Sequence, residues 1–280
     1  MKIPKRIEPL VEDGMVDEVL HALMSGKEAD VYVVMSEGVA RCAKVYKEAD
    51  KRGFRQSVLY REGRGERNSR RARAMEKGSR YGRQLQEETW QNAEVDALYR
   101  LAAAGVRVPK PYLYADGVLL MELVTDAEGL SAPRLNDVEL SAEDARAHHR
   151  TVMREIVRML CAGLVHGDLS EYNVLLGRDG PVIIDLPQAV DAAGNNHARA
   201  MLERDVGNMA AYFGRFAPEI LETQYAKEIW RLYERGELHP EVELTGRFAE
   251  TRKRADVRAV IREIDAARKE YEARRFPSEP

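Results

Sequence analysis

The sequence is organised around the stretch Leu164-Val165-His166-Gly167-Asp168-Leu169-Ser170-Glu171-Tyr172-Asn173-Val174-Leu175-Leu176, which is followed by Val182-Ile183-Ile184-Asp185. Two apolar runs enclose a polar loop, and a third apolar run, Val182 to Ile184, is followed by the acid Asp185. Asp168, Asn173 and Asp185 therefore form a compact set of oxygen ligands. Such a set suits phosphoryl transfer, in which one carboxylate orients the nucleophile while a carboxamide and a second carboxylate hold Mg²⁺. A turn rich in Asp and Asn between hairpin strands is the plainer alternative.

Two charged residues upstream strengthen the first interpretation. The spacing of the loop matches the Asp-x-x-x-x-Asn pattern and strand-end Asp of kinases, and Lys44 lies where their Val-Ala-Ile-Lys strand places a phosphate-binding lysine. An exposed strand lysine would look similar. Glu94 lies on a helix that the apolar periodicity predicts over residues 87–104, and we expect it to pair with Lys44 on the phosphates. An exposed helical glutamate is the alternative.

Two further segments are consistent with a nucleotide site. Residues 25–34 form a glycine turn that runs into a strand, where small residues let backbone N–H groups approach phosphate oxygens. The turn has one glycine and is a weak signal by itself. Residues 118–124 form an apolar strand, and the backbone groups of Glu122 and Val124 are placed to read the edge of an adenine ring. A buried strand without a ligand would have the same pattern.

The order of the predicted elements indicates an α+β fold with two lobes, a small β-rich N-lobe and a mostly helical C-lobe. The predicted parts are an N-terminal helix over 1–24, an N-lobe over 25–124 with a basic insertion at about 47–88, a C-lobe over 125–217 and a helical extension over 218–280. The insertion is rich in arginine and glycine between residues 51 and 83. Such a run can bind RNA phosphates by counterion release, or it can be a solvated loop.

Composition limits the remaining classes. The chain has 280 residues, a net charge of -3 and two cysteines, Cys42 and Cys161, which lie far apart in apolar contexts. These features favour reduced core cysteines in a cytoplasmic protein. The N-terminus lacks the apolar core of a signal peptide, and no apolar run reaches the ~18 residues of a membrane span.

Together these motifs resemble those of the RIO family of atypical serine protein kinases. The resemblance is closest to the type-one branch, because the loop has the sequence Asp-Leu-Ser-Glu-Tyr-Asn. The resemblance covers roughly residues 20–215. It rests on the following segments: Ser25 to Tyr32, Lys44 to Lys47, Trp90 with Glu94, Met121-Glu122, His166 to Asn173 and Ile184-Asp185.

The resemblance implies a two-lobed kinase fold of the RIO type, with ATP and Mg²⁺ or Mn²⁺ between the lobes. By analogy, the phosphate loop would comprise Ser25, Gly26, Lys27, Glu28, Ala29 and Val31. Lys44 and Glu94 would form the ion pair, and Met121, Glu122 and Val124 would hold the adenine. Asp168 would be the catalytic carboxylate, and Asn173 and Asp185 would bind the metal.

The same resemblance implies autophosphorylation, action on an unidentified protein, and an ATPase activity in which Asp185 carries a transient phosphoryl group. RNA or ribosome contact through residues 51–83 is a separate expectation, which rests on the arginine-rich composition of that stretch. Gly167 precedes Asp168 where many kinases have arginine, and Leu186-Pro187 follow Asp185 where they have Phe-Gly. We therefore expect neither an activation loop nor peptide-docking subdomains, and the compact form resembles bacterial members.

Two alternatives remain. A small-molecule kinase of the aminoglycoside-phosphotransferase type also carries a His-Gly-Asp loop, although the Ser-Gly-Lys-Glu-Ala turn and the basic insertion argue against it. A nucleotide-sensing assembly factor that binds RNA with little turnover would share the fold. The presence of Lys44, Asp168, Asn173 and Asp185 argues against an inactive site.

Overall fold

The computed structural model describes the backbone of residues 3–47 and 80–248, and the side chains of residues 3–47 and 92–248. The described residues up to Arg247 belong to one compact unit. The unit contains an antiparallel sheet and one long helix that lies between the third and fourth sheet strands in the sequence. Three further helices follow in the C-terminal half of the unit. This α+β arrangement is the one predicted from the element order.

The N-lobe is a five-stranded antiparallel sheet with the strand order β1-β2-β3-β5-β4. The strands are β1 Glu18–Ser25, β2 Ala29–Ser36, β3 Val39–Tyr46, β4 Pro111–Ala115 and β5 Val118–Glu122. Two hairpins close on two-residue turns in which both residues have positive φ, at Glu37-Gly38 and Asp116-Gly117. Such turns match the right-handed twist of the flanking strands.

The helices are α1 Glu8–Glu12, α2 Arg80–Ala103, α3 Ala142–Cys161, α4 Ala198–Phe213 and α5 Tyr225–Glu234. The short C-lobe strands are β6 Leu164–Val165, β7 Val174–Gly177, β8 Gly180–Ile183 and β9 Val190–Asp191. Helix α3 begins after Ser141, whose hydroxyl accepts from the Asp144 N–H at 3.0 Å. This side-chain cap satisfies one of the free N–H groups of the first turn.

Apolar side chains form two separate cores. The larger core lies between α2, the inner face of the sheet and the C-lobe helices, and it includes Leu101, Leu119 and Met153. The smaller core covers the outer face of the sheet, where Ile7 and Leu10 of the N-terminal segment pack against strand residues. Alternation along β3 assigns its side chains to the two faces, which directs Lys44 and Tyr46 inward.

The helix predicted over residues 1–24 is wrong. Its described part forms only the short helix α1, Gly14 follows with a φ of 71°, and β1 begins at Glu18. The apolar residues of 16–23 fit a helical period, but antiparallel pairing with β2 along six register positions decides their conformation. Strand pairing supplies backbone hydrogen bonds and side-chain contacts that outweigh local periodicity. The N-lobe therefore starts before residue 25.

Other boundaries also differ from prediction. Helix α2 already begins at Arg80, inside the stretch assigned to the insertion, while residues 48–79 lie outside the described backbone. After α5, residues 235–248 contain no helix, whereas residues 249–280 of the predicted helical extension lie outside the description. Cys42 is buried as predicted, but Cys161, the last residue of α3, is exposed.

Membrane-spanning character can be judged for the described residues, 3–47 and 80–248. None of their helices combines the length and the apolar character needed to cross a bilayer.

Candidate active site

Side chains of α4 hold the loop between β6 and β7 in place. The buried Asp205 carboxylate, 1% exposed, accepts from the N–H groups of Gly167 and Leu169 at 2.7 and 3.0 Å. The sequence alone is compatible with Asp205 as a loop brace or as a surface acid, and these contacts show that it braces the loop. Burial raises its pKa, while His166 and the two N–H groups act in the opposite direction.

Further contacts fix the same loop. Asn208 donates to the Leu169 carbonyl at 2.9 Å, and a hydrogen bond joins the Arg204 guanidinium to the Gly167 carbonyl. Gly167 has a φ of 82°, a conformation that glycine adopts without steric cost. The loop therefore has a defined path on which the Asp168 side chain remains exposed.

Lys44 lies between two carboxylates. Its Nζ is 2.5 Å from Glu94 Oε1 and 3.3 Å from Asp185 Oδ1, so the predicted pair with Glu94 is present. Burial lowers the pKa of Lys44, but the charges of Glu94 and Asp185 raise it by more, and the net shift is upward. The side chain of Lys44 is 12% exposed and stays cationic. A phosphate group would find a fixed positive charge here.

Asn173 and Asp185 each carry a side-chain oxygen that can act as a metal ligand. Asn173 Nδ2 donates to the Asp168 carbonyl at 2.9 Å, which leaves its amide oxygen for another partner. The backbone carbonyl of Asn173 accepts from the Ile184 N–H at 3.0 Å, so Asp185 follows directly after that contact. A carboxamide and a carboxylate are hard oxygen ligands, which suit Mg²⁺ when phosphate oxygens and water complete its shell.

The predicted phosphate loop is a tight turn between β1 and β2. The Gly26 N–H donates to the Ala29 carbonyl at 2.9 Å, and Ser25 Oγ donates to Asp30 Oδ1 at 2.6 Å. Lys47 at the end of β3 holds this turn, because its Nζ is 2.7 Å from the Gly26 carbonyl and 2.8 Å from Asp30 Oδ1.

The predicted members of the phosphate loop differ in exposure. Lys27 is exposed at the tip and Glu28 is half-buried, whereas Ala29 and Val31 are buried in β2. Val31 lies opposite Lys44 in the strand register. The loop therefore approaches the lysine from the neighbouring strand.

The connection after β5 carries the predicted adenine-binding groups. The Glu122 N–H donates to the Lys110 carbonyl at 2.8 Å, and the Val124 carbonyl accepts from the Ala132 N–H at 2.9 Å. An adenine edge would therefore have to use the Glu122 carbonyl and the Val124 N–H. Met121 pairs with Cys42 in the register of β3 and β5, on the same sheet as Lys44.

The Glu122 side chain does not face solvent freely. Arg107 forms a two-pronged contact with it, with both nitrogen–oxygen distances at 2.8 Å. The hydrogen bonds from Arg107 and burial act oppositely on the Glu122 carboxyl, and the net effect lowers its pKa. The Arg107 N–H also donates to Glu155 Oε2 of α3 at 2.7 Å. The connection is thus tied to the C-lobe.

Sequence reasoning missed Tyr46, Lys47 and Arg107. Tyr46 was part of the strand but had no assigned role, although its hydroxyl donates to Glu94 Oε2 at 2.8 Å. Arg107 stands between two buried valines, and a charged residue within an apolar run was the available signal. The predicted ion pair between Lys44 and Glu94 is present, and Asp185 lies beside it as expected. The roles given to individual residues remain predictions.

Comparison with known proteins agrees with this geometry. Residues 30–226 match the model of the RIO domain family. The RIO-type serine/threonine-protein kinase Rio1 of Haloferax volcanii is 36% identical over 210 residues, which cover 75% of this chain and 68% of the relative. The serine/threonine-protein kinase RIO1 of Homo sapiens is 30% identical over 210 residues, which cover 74% of this chain and 35% of the human protein.

A solved structure shows the same fold. The Rio2 kinase of Chaetomium thermophilum, in its ADP/Mg²⁺-phosphoaspartate complex, superposes with a TM-score of 0.54 over 83% of this chain and 74% of that chain, at 19% identity. The predicted resemblance to the type-one branch agrees with the names of the sequence relatives. The chain belongs to the RIO family of serine/threonine protein kinases.

Proposed function

We propose that this chain transfers the γ-phosphoryl group of ATP to a serine or threonine hydroxyl, on its own chain and on an unidentified protein, with Mg²⁺ bound. The observation that carries the proposal is the position of Lys44, which lies within 3.3 Å of carboxylate oxygens from both Glu94 and Asp185. Few structural roles require a lysine that is only 12% exposed between two acids. A phosphate-binding site does require it.

Each residue has a chemical task in this proposal. Lys44 binds phosphate oxygens, and Glu94 fixes its position. Asp168 is exposed on a braced loop and accepts the proton of the attacking hydroxyl. Asn173 and Asp185 would hold Mg²⁺, which neutralises charge on the phosphates when bound.

An ATPase route through Asp185 is the second part of the proposal. In it a carboxylate oxygen of Asp185 forms a bond to the γ-phosphorus while the bond to the ADP oxygen breaks, and water then releases phosphate from the acyl phosphate. The support is the exposure of Asp185, whose side chain is 44% accessible, and its contact with Lys44. The Rio2 complex that shares this fold contains phosphoaspartate.

Labelled nucleotide tests the proposal. The purified protein and Asp168→Asn are incubated with γ-labelled ATP and Mg²⁺, and protein-bound label and free phosphate are followed. We expect label on serine or threonine in the parent and at least a hundredfold less in the variant, because the proton acceptor is lost while ATP still binds. Glu171→Gln, which changes a half-buried acid of the same loop, is the matched control.

The chemistry of the label separates the routes. An acyl phosphate is labile in both acid and base, whereas phosphoserine and phosphothreonine are stable in acid. Label that is both acid-labile and base-labile and is lost in an Asp185 variant, together with free phosphate, would assign the ATPase route. Absence of both signals, combined with phosphorylation of an aminoglycoside, would replace the protein-kinase proposal by the small-molecule alternative.

We also propose RNA contact through residues 51–83 and a cytoplasmic location. The first rests on the arginine-rich composition of the stretch, and the second on two cysteines that are both free. Because α2 begins at Arg80, a deletion should end at residue 79. Such a deletion should lower affinity for a short RNA and reduce its salt dependence. Unchanged affinity and salt slope would contradict the RNA proposal.

A further inference from the structure

Tyr46 occupies a fixed place beside the catalytic lysine. It follows Lys44 by two positions in β3, so both side chains point to the same face of the sheet. Tyr46 is 1% exposed, and its hydroxyl donates to Glu94 Oε2 at 2.8 Å. The Lys44 ammonium lies 5.3 Å from the centre of the Tyr46 ring. The tyrosine therefore touches both members of the ion pair.

The Glu94 carboxylate has one donor on each oxygen. Oε1 faces Lys44 at 2.5 Å, and Oε2 faces the Tyr46 hydroxyl. Glu94 is 4% exposed, so water has little access to either oxygen. A buried carboxylate oxygen that loses its donor carries the full cost of desolvation. The carboxylate therefore keeps its orientation toward Lys44 only while both donors remain.

The hydroxyl of Tyr46 is itself held in position. Its ring packs edge-on against Tyr114, with the ring centres 6.2 Å apart, and its backbone carbonyl accepts from Arg6 at 3.1 Å. The backbone N–H of Tyr46 donates to the Gly117 carbonyl at 3.0 Å. Burial and the adjacent Glu94 carboxylate raise the pKa of Tyr46, so the hydroxyl remains a donor at neutral pH.

We infer that Tyr46 is a positioning residue that holds Glu94 in the orientation in which it fixes Lys44 on the phosphates of ATP. The inference deepens the proposed function and rests on it. Tyr46 does not touch the nucleotide in this assignment. It acts through a contact between residues separated by 48 positions in the chain, which ties α2 to the strand that carries the lysine.

Tyr46→Phe isolates the hydroxyl, because it keeps the ring and its packing against Lys44 and Tyr114. Affinities for ATP with Mg²⁺ and for adenosine are measured together with kcat and KM. We expect ATP affinity and kcat/KM to fall about tenfold, as for loss of a hydrogen bond to a charged group, while adenosine affinity changes less than about twofold. Tyr32→Phe, a half-buried tyrosine packed on the outer face of the sheet, is the control.

A double-mutant cycle distinguishes positioning from general stabilisation. Glu94→Ala removes the partner, and Tyr46→Phe in that background should then lower ATP affinity and kcat/KM by less than about twofold. Thermal unfolding of each variant verifies the fold. An undiminished parent-like affinity in Tyr46→Phe, or a full tenfold further loss in the Glu94→Ala background, would overturn the inference.

The same experiment separates failure of the inference from failure of the proposed function. A parent that binds ATP but transfers no phosphoryl group overturns the proposed activity, and the ATP and adenosine affinities still decide the role of Tyr46. A parent that binds no ATP overturns both. Normal turnover in the parent with no effect of Tyr46→Phe overturns the positioning role alone.

Discussion

Asp185 shows how one residue combines an unusual backbone with a chemical task. Its φ of 67° lies in the left-handed region, which costs most side chains energy but is tolerated by Asp and Asn. The flanking Ile184 is fixed on both sides, since its N–H donates to Asn173 and its carbonyl lies 3.1 Å from His166 Nε2. Strain of this kind persists where the surroundings over-determine the conformation, and it occurs often at functional sites.

Asp185→Asn removes the charge while retaining a side chain that tolerates this backbone. In the parent, Mg²⁺ should increase the affinity for ATP. In Asp185→Asn this increase should be at least about tenfold smaller, because a neutral amide binds the cation more weakly than a carboxylate does. ATP titrations with and without Mg²⁺ measure the effect. Asp179→Asn, an exposed acid in the turn between β7 and β8, should behave as the parent. An identical Mg²⁺ effect in Asp185→Asn would remove the metal assignment.

At the scale of elements, the β1–β2 hairpin depends on a residue from a third strand. Lys47 directly follows β3, and its ammonium group contacts the Gly26 carbonyl, Ser25 Oγ at 3.3 Å and Asp30 Oδ1. The two termini of the phosphate turn are therefore held by one ammonium group. A glycine turn with few contacts of its own would otherwise sample open conformations, at a cost in affinity for the phosphates.

Lys47→Met keeps the aliphatic stem and removes this clamp. We expect KM for ATP to rise about two- to tenfold with kcat changed by less, because the contact orders the binding loop and is partly solvent-exposed. Steady-state kinetics over a range of ATP concentrations provide the measurement. Lys5→Met, at an exposed lysine of the N-terminal segment, is the control. A fall in kcat without a change in KM would contradict a purely loop-ordering role.

At the scale of the whole molecule, stability depends on packing between C-lobe helices, and His149 introduces a pH dependence there. It is 2% exposed, between Phe213 of α4 and Tyr225 of α5, and its Nε2 has no hydrogen-bond partner among the described residues. Burial, with a smaller effect of Arg150, lowers the pKa of His149 to about 4. The fold therefore favours the neutral ring.

In the unfolded state His149 binds a proton near the ordinary histidine pKa of about 6.5, whereas in the folded state it does so only near pH 4. The free energy of unfolding therefore decreases as the pH falls below about 6.5. Between pH 7 and pH 5 the parent should lose about 2 kcal/mol more free energy of unfolding than His149→Phe, whatever the difference between them at pH 7. Urea titrations at both pH values give this difference. Parallel losses in the two proteins would show that His149 does not titrate on unfolding.

The sequence by itself determined the α+β fold class, the catalytic-loop motif, the nucleotide chemistry and the Lys44–Glu94 pair. These are visible because the loop chemistry is local and each task demands a particular residue type at a particular spacing. Helix α3 is also specified locally, because its capping residue Ser141 and its apolar stripe are both visible in the sequence.

The tertiary structure decided the rest. It made residues 18–25 a strand, because pairing with β2 outweighs a helical period. It assigned tasks to Tyr46, Lys47, Arg107 and Asp205, whose partners lie 15 to 48 residues away in the chain. No local pattern reports such contacts. They depend on how helices and strands distant in sequence pack around the site, and that packing alone gives a tyrosine or an arginine its partner.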